Sequence, residues 1–357
     1  MTFEEARAQL PVLERLAYLN AGTNGPLARA TVEAMAAWEE RHLLHGRSGR
    51  PYIEELQALR ERVRARLAAL VGVEPASVAL TRSTTDGCNA VLLGLGLRPD
   101  DEIVTTDTEH FGLLGALHAS GARVRVARIR DLPAAEALAA IEAELGQRTR
   151  LLALSHVSWL TGNRLPLDEL RRHGLPILVD GAQSVGAIPV DASPFDFYTV
   201  SAQKWLCGPD ATGALVVRDP ERLRVAWPSY LSQQGYDETG AFEPRPGAPR
   251  FDGGWIPAAS LAGLEAALDC MPEWAYERAR AAADRCRALL AERVEVITER
   301  DQATLVSFVP DGDAAEAVVR LYEAGVVVRD LPRTGWLRAS CGWWTSDDDL
   351  ARLVSAL

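Results

Sequence analysis

Apolar residues recur at helical spacing through YIEELQALRERVRARLAALVG, from Tyr52, and then give way to short runs with almost no polar interruption. SVALTR from Ser77, EIVTTD from Glu102, RVRVARI from Arg123, LLALSHV from Leu151, PILVDGA from Pro176 and FDFYTVS from Phe195 all read as strands. Helical segments separate several of them, one around GLLGALHA and one at AAEALAAIEAELGQ from Ala134. Nearly continuous apolar strands alternating with helices predict a mainly parallel α/β sheet covered on both faces. GALVVRD from Gly213 follows its predecessor too closely for a helical crossover, so it is predicted to pair antiparallel.

The alternation stops at SYLSQQGYDETGAFEPRPGAPRFDGG, Ser229 to Gly254, whose Gly, Pro and polar content predicts a long functional loop or a linker. Helices from Ala258 and Trp274, the strand TLVSFVP, the helix AAEAVVRLYEAG, the strands VVVRD and WLRAS and a last helix from Ser346 follow. This pattern predicts three parts: an N-terminal segment (1–20), a large domain (21–250) and a smaller α+β domain (251–357). The segment RHLLHGRSGR from Arg41 reads as solvated.

Composition narrows the function. A chain of 357 residues with 48% hydrophobic and 24% charged residues is an ordinary globular protein. A net charge of −11 argues against a surface that tracks nucleic-acid phosphates. No apolar run approaches the length of a membrane span. Five scattered cysteines without a C-x-x-C pair predict neither a disulfide framework nor a metal site, and fit a cytoplasmic protein. Lysines are scarce, which singles out Lys204 in SAQKWLCGP, at the end of an apolar strand.

Ligands of open parallel sheets bind beyond the carboxyl ends of the strands. Three segments leave polar groups there: LVDGAQ with Asp180 and Gln183, TVSAQK with Ser201, Gln203 and Lys204, and ALTRSTTDG with Thr84 and Thr85. One cofactor asks for all three. Pyridoxal phosphate needs a lysine for its covalent attachment, a carboxylate to keep its ring nitrogen protonated, and a phosphate cradle such as a helix N-terminus rich in hydroxyls.

The run LSHVSWLTGNRLPLDEL, LPILVDGAQSVGAIPVD, FDFYTVSAQKWLCGPDATGALVV resembles the class V aminotransferase family of fold-type-I pyridoxal phosphate enzymes, which includes the cysteine desulfurases. The resemblance extends from YLNAGTNGPL at Tyr18 to WLRASCGWWTSDDDLARL. It implies a seven-stranded, mainly parallel sheet with a smaller C-terminal domain, a homodimer, and an amino-acid substrate. By matching position, it implies that Lys204 holds the cofactor, Asp180 pairs with the ring nitrogen and Gln183 meets the ring hydroxyl. Thr84, Thr85, Ser201 and Gln203 would then hold the phosphate and His110 would stack on the ring, the other reading of His110 being a helix cap or surface histidine. Arg338 would grip the substrate carboxylate.

Departures from the pattern select a subgroup. Desulfurases carry a nucleophilic cysteine shortly before the carboxylate-binding arginine, whereas VVVRDLPRTGW holds none. Trp159 stands where desulfurases usually have asparagine, a feature resembling the cystine C–S lyases. Trp255 stands where members often place a threonine that reaches the partner's phosphate. Trp159, Trp205 and Trp255 admit two readings, an apolar substrate pocket or plain packing. The expected reaction is β-elimination on cysteine, cystine or a conjugate. Its alternatives are transamination or epimerisation, desulfuration with an external sulfur acceptor, and cofactor binding without turnover.

Overall fold

The computed structural model describes residues 1–357. Seven strands form the main sheet: β1 (Val78–Thr81), β2 (Glu102–Thr106), β3 (Arg123–Ala127), β4 (Thr149–Ser155), β5 (Ile177–Asp180), β6 (Phe197–Ser201) and β7 (Gly213–Val217). Their spatial order is β1-β7-β6-β5-β4-β2-β3. All neighbouring pairs are parallel except those made by β7, which runs antiparallel to both β1 and β6. The short β6–β7 connection has no room for a helix, so the antiparallel expectation for GALVVRD holds.

Alternation along the strands builds two cores. Val78, Leu80, Val104, Leu152, Leu154, Val179 and Val216 face one side, while Ala79, Ile103, Leu151, Ala153, Leu178 and Leu215 face the other. On the first side lie the helices Gly49–Leu70 and Ala134–Ala143; on the second, Thr84–Gly94 and Phe111–Ala119. Ile256, Leu261 and Leu264 join the first core. The helix Ala258–Cys270, which the predicted 250/251 division gives to the smaller domain, therefore packs against the main sheet's core.

A second, three-stranded antiparallel sheet comprises β8 (Leu305–Phe308), β9 (Arg329–Leu331) and β10 (Trp336–Ser340), with β10 in the middle. The N-terminus is woven into this part: Ala17–Tyr18 pairs parallel with Val326–Val327, and Ser340 N–H donates to Leu19 O at 2.8 Å. The chain then crosses to the main sheet, where Gly25 N–H donates to Gln203 O at 2.8 Å.

Two elements depart from the sequence reading. Arg29–His45 is a helix, so the start of RHLLHGRSGR is its last turn; Leu43 and Leu44 there are exposed, in keeping with a solvated segment. The long polar stretch holds a hairpin pairing Gln233–Tyr236 with Phe242–Pro244.

That stretch ends at Asp252, which is fully buried. It accepts from Arg60 Nη2 at 2.8 Å, Arg64 Nη1 at 3.0 Å, Arg64 Nη2 at 2.9 Å and Leu80 N–H at 2.8 Å. Burial works to raise the carboxyl pKa, and the two arginines overcome it, leaving it below the ordinary value. Its contribution to stability is present above the unfolded carboxyl pKa and is lost as pH falls through the lower folded value. Asp252→Ala is expected to cost about 3–5 kcal/mol, because two buried guanidinium groups lose their counter-charge. Urea unfolding at pH 7 checks this; a loss below about 1 kcal/mol would show that the clamp is dispensable.

Candidate active site

The carboxyl ends of β5 and β6, the start of the helix Thr84–Gly94 and the strand β10 converge on one cleft. Lys204, the only lysine in the chain, follows β6 by three residues. A tight turn fixes its backbone: Cys207 N–H donates to Lys204 O at 3.0 Å and Gly208 N–H to Ala202 O at 2.9 Å, with Cys207 held at φ +54°. Gly25 lies so close to the Lys204 carbonyl that any Cβ there would overlap it. Burial lowers the Lys204 amine to about 8; Asp180 opposes the shift, while Arg338 and Arg329 add to it. The electrostatic neighbours of the amine are thus one carboxylate and two guanidinium groups.

Asp180 is 4% exposed at the end of β5. Its Oδ1 accepts from Ala182 N–H at 2.9 Å, and its Oδ2 takes no protein donor. Gln183 is locked on both sides: Trp205 Nε1–H donates to its Oε1 at 2.9 Å, and its Nε2 donates to Gly22 O at 2.9 Å. An amide nitrogen carries two hydrogens, so one N–H of Gln183 stays free. Ser83 caps the helix Thr84–Gly94 by accepting from Asp86 N–H at 3.1 Å, which places Thr84 and Thr85 in its first turn. Ser201 Oγ donates to Gln203 Oε1 at 2.9 Å.

His110 caps the helix Phe111–Ala119 and stands near Lys204. Its Nδ1 accepts from Gly112 N–H at 3.0 Å, and its ring meets Trp159 edge-on with centroids 5.0 Å apart. Burial, followed by the Lys204 charge, lowers its pKa. The helix-cap reading of this histidine is thus met, and its neighbours leave its ring beside the candidate site.

Arg338 is 1% exposed on β10. Nη1 donates to Trp159 O at 3.0 Å, while Nε and Nη2 are buried without any partner. Arg329 lies directly opposite on β9, so the two side chains share one face of the hairpin. Its single side-chain bond runs from Nη1 to Thr23 Oγ1 at 3.1 Å, and neither arginine has a carboxylate. Two like charges set side by side, one of them buried, repel each other unless an anion joins them. Arg329 went unrecognised from sequence because its place depends on the hairpin register; the traceable signal was an arginine on each side of LPRTG.

The tryptophans separate. Trp159 stands beside His110, with its Nε1 buried and unpartnered. Trp205 is 1% exposed and orients Gln183, whereas Trp255 is 58% exposed. The shared apolar pocket is thus corrected: one lines the site, one packs beneath it and one faces solvent. No thiol is poised for attack either. Cys88, Cys207 and Cys341 are buried, and all three have pKa values pushed up, Cys88 and Cys207 chiefly by burial and Cys341 chiefly by hydrogen bonding with Cys286.

A match to the aminotransferase class-V family spans residues 18–331. The chain belongs to that family. Isopenicillin N epimerase of Streptomyces clavuligerus is 30% identical over 99% of this chain and 97% of its own length. A probable cysteine desulfurase of Pseudomonas aeruginosa is 30% identical over 96% and 93%. Among solved structures, the cystine C–S lyase C-DES bound to its reaction product cysteine persulfide superposes with a TM-score of 0.89 at 29% identity, covering 97% of this chain and 98% of that one. A mutant of C-DES with glycine covalently linked to its pyridoxal phosphate cofactor gives 0.89 at 28%. This class V member is accordingly a pyridoxal phosphate-dependent enzyme with the fold-type-I architecture. No helix is long and apolar enough to cross a membrane.

Proposed function

We propose that this enzyme is a C–S lyase that performs β-elimination on a cysteine-derived amino acid bearing a second anionic group, as cystine does. The observation that carries the reading is the Arg338–Arg329 pair, whose guanidinium groups have no protein carboxylate. The absence of a poised thiol supports elimination over sulfur relay, as does likeness to a cystine C–S lyase.

The residues fit pyridoxal phosphate. Asp180 offers an uncommitted carboxylate oxygen, Gln183 a spare N–H, and Thr84 and Thr85 hydroxyls beside free backbone N–H groups at a helix start. Lys204 would anchor the group and His110 would cover its face, with Ser201 and Gln203 completing the phosphate side. Once bound, pyridoxal phosphate supplies a sink for the electron pair released at the substrate Cα.

The chain's own groups divide the remaining work. Arg338 would receive the α-carboxylate on Nε and Nη2, held in orientation by its bond to the Trp159 carbonyl. Arg329 would receive the distal anion. Lys204 would remove the Cα proton, and an amine near 8 is well matched to that task at neutral pH. As Cα–H breaks, a Cα–Cβ double bond forms and the Cβ–S bond leaves with its electron pair on sulfur. Water then converts the released enamine to pyruvate and ammonia.

Product analysis decides the reaction. Cystine should give pyruvate, ammonia and cysteine persulfide in equal amounts. Alanine with sulfide would instead mean desulfuration, and a racemised substrate without pyruvate would mean epimerisation. Arg329→Ala is expected to raise KM for cystine about 10–30-fold and to leave KM for S-methylcysteine within about threefold. An equal rise for both would remove Arg329 from the distal site.

A further inference from the structure

Just past the end of β4, lined by none of the cleft residues, lies a half-open cavity of about 680 Å³. Leu165, Pro189, Val190 and Phe195 give it apolar walls, and Arg164 and His156 give it polar groups. His156 is 7% exposed and is tied to the main sheet in two ways. Its N–H donates to Asp180 O at 3.1 Å, and its Nδ1 lies 2.7 Å from Tyr198 Oη.

The direction of the side-chain hydrogen bonds is the one that makes the most of them. Ser184 Oγ has one hydrogen and donates it to Gly181 O at 3.2 Å. Either hydroxyl can donate across the 2.6 Å contact between Ser184 Oγ and Tyr198 Oη, but only with Tyr198 as donor are the Ser184–Gly181, Tyr198–Ser184 and His156–Tyr198 bonds all made at once. In that fully bonded arrangement Tyr198 accepts from His156, which puts the imidazole proton on Nδ1. Nε2 is left as a bare acceptor without a protein partner, on a ring that lines the cavity. Burial, aided by the charge of Arg164, lowers the His156 pKa to about 4, so this lone pair is present at neutral pH.

Arg164 makes no ion pair; only its backbone N–H is engaged, with Gln302 Oε1 at 2.9 Å. Arg171, the other cation of the lining, stands 3.9 Å from Asp168. Asp191, the remaining acid, accepts from Ser193 N–H at 2.9 Å. An uncommitted guanidinium beside an uncommitted nitrogen lone pair asks for one molecule with an anion and an adjacent hydrogen-bond donor.

We propose that this cavity is a second ligand site, distinct from the cleft, for a small carboxylic acid with an N–H or O–H on its α-carbon, an α-amino or α-hydroxy acid. The carboxylate would pair with Arg164 and the α-donor with His156 Nε2, against the apolar walls. Because His156 is bonded to Asp180 O, and through Tyr198 and Ser184 to Gly181 O, the ligand would rest on the strand that carries the candidate cofactor carboxylate.

L-Lactate is a suitable probe, since it has no amine with which to displace Lys204. Calorimetric titration of the holoenzyme should show saturable binding. Acetate, which has no α-hydroxyl, should bind at least fivefold more weakly. Arg164→Ala, at an exposed position that does not threaten folding, should weaken lactate at least tenfold. Arg338→Gln should leave lactate affinity within about twofold. Glycine, added to the Arg338→Gln holoenzyme, should compete with lactate if the α-amino acid is the natural class and leave it untouched if the site takes only hydroxy acids. The proposal is overturned if lactate gives no saturable heat, if acetate binds as well, or if binding is lost with Arg338 and kept without Arg164. None of these outcomes depends on which reaction the cleft performs.

Discussion

Replacing Lys204 with alanine should lower kcat by at least about 10³-fold while the protein still folds, since the side chain acts on the Cα proton and no other lysine exists to stand in. Uniqueness also supplies a direct chemical readout. A lysine-specific protease should cut the unfolded apo chain at one bond only, after residue 204. Holoenzyme reduced with borohydride and then unfolded should resist that cut and carry the mass of the cofactor at this residue. Cleavage that persists after reduction would refute covalent attachment. The pH dependence has a definite sign: the neutral amine is the working form, so kcat should climb as pH rises through about 8 and level above it. A profile that is flat from pH 6.5 to 9 would remove Lys204 from the proton transfer.

Arg338→Met should have opposite effects on activity and stability. Its guanidinium is buried, with Nε and Nη2 unpartnered and Arg329 across the hairpin, so in the absence of ligand it is a cost to the fold. Methionine fills similar volume without charge, and the melting temperature of the apo enzyme should rise by several degrees. Over the same change kcat/KM should fall by about 10²–10³, the range expected for a charge-assisted, bidentate carboxylate contact. A variant that loses activity and stability together would mean that Arg338 is structural. One that keeps activity would mean that the substrate carboxylate is held elsewhere.

The sheet and most of the cleft were legible in the sequence because both are written locally. Uninterrupted apolar runs give buried strands, and polar residues just past them, such as Asp180 and Lys204, fall at the ligand end of a parallel sheet. Much of what escaped depends on residues distant in the chain, and the rest lacks a local apolar pattern. Arg329 reads as an ordinary polar residue until the β9–β10 register sets it against Arg338. Trp205 admits a pocket or a packing reading until the fold brings its indole N–H onto Gln183 Oε1. The helix Arg29–His45 has little amphipathic contrast, and its ERHLLH end is solvated, so periodicity gave no sign of it. The hairpin between Gln233 and Pro244 has mostly half-buried and exposed positions, so no apolar alternation announces it.

The wall formed by Gly22 to Gly25 bears on when the enzyme can become competent during its synthesis. These residues touch Arg338, Gln183 and the Lys204 carbonyl, and the strand leading to them is held by Val326–Val327 and Ser340. Residues 22–25 must wait for residues 326–340, about 300 positions later in the chain. At roughly 5–20 residues per second, the delay is on the order of 15–60 s. Until then the nascent large sheet has no closed cleft, so a ribosome-bound chain stalled before residue 326 should take up cofactor poorly, and tight retention should begin only once residues 326–340 have folded.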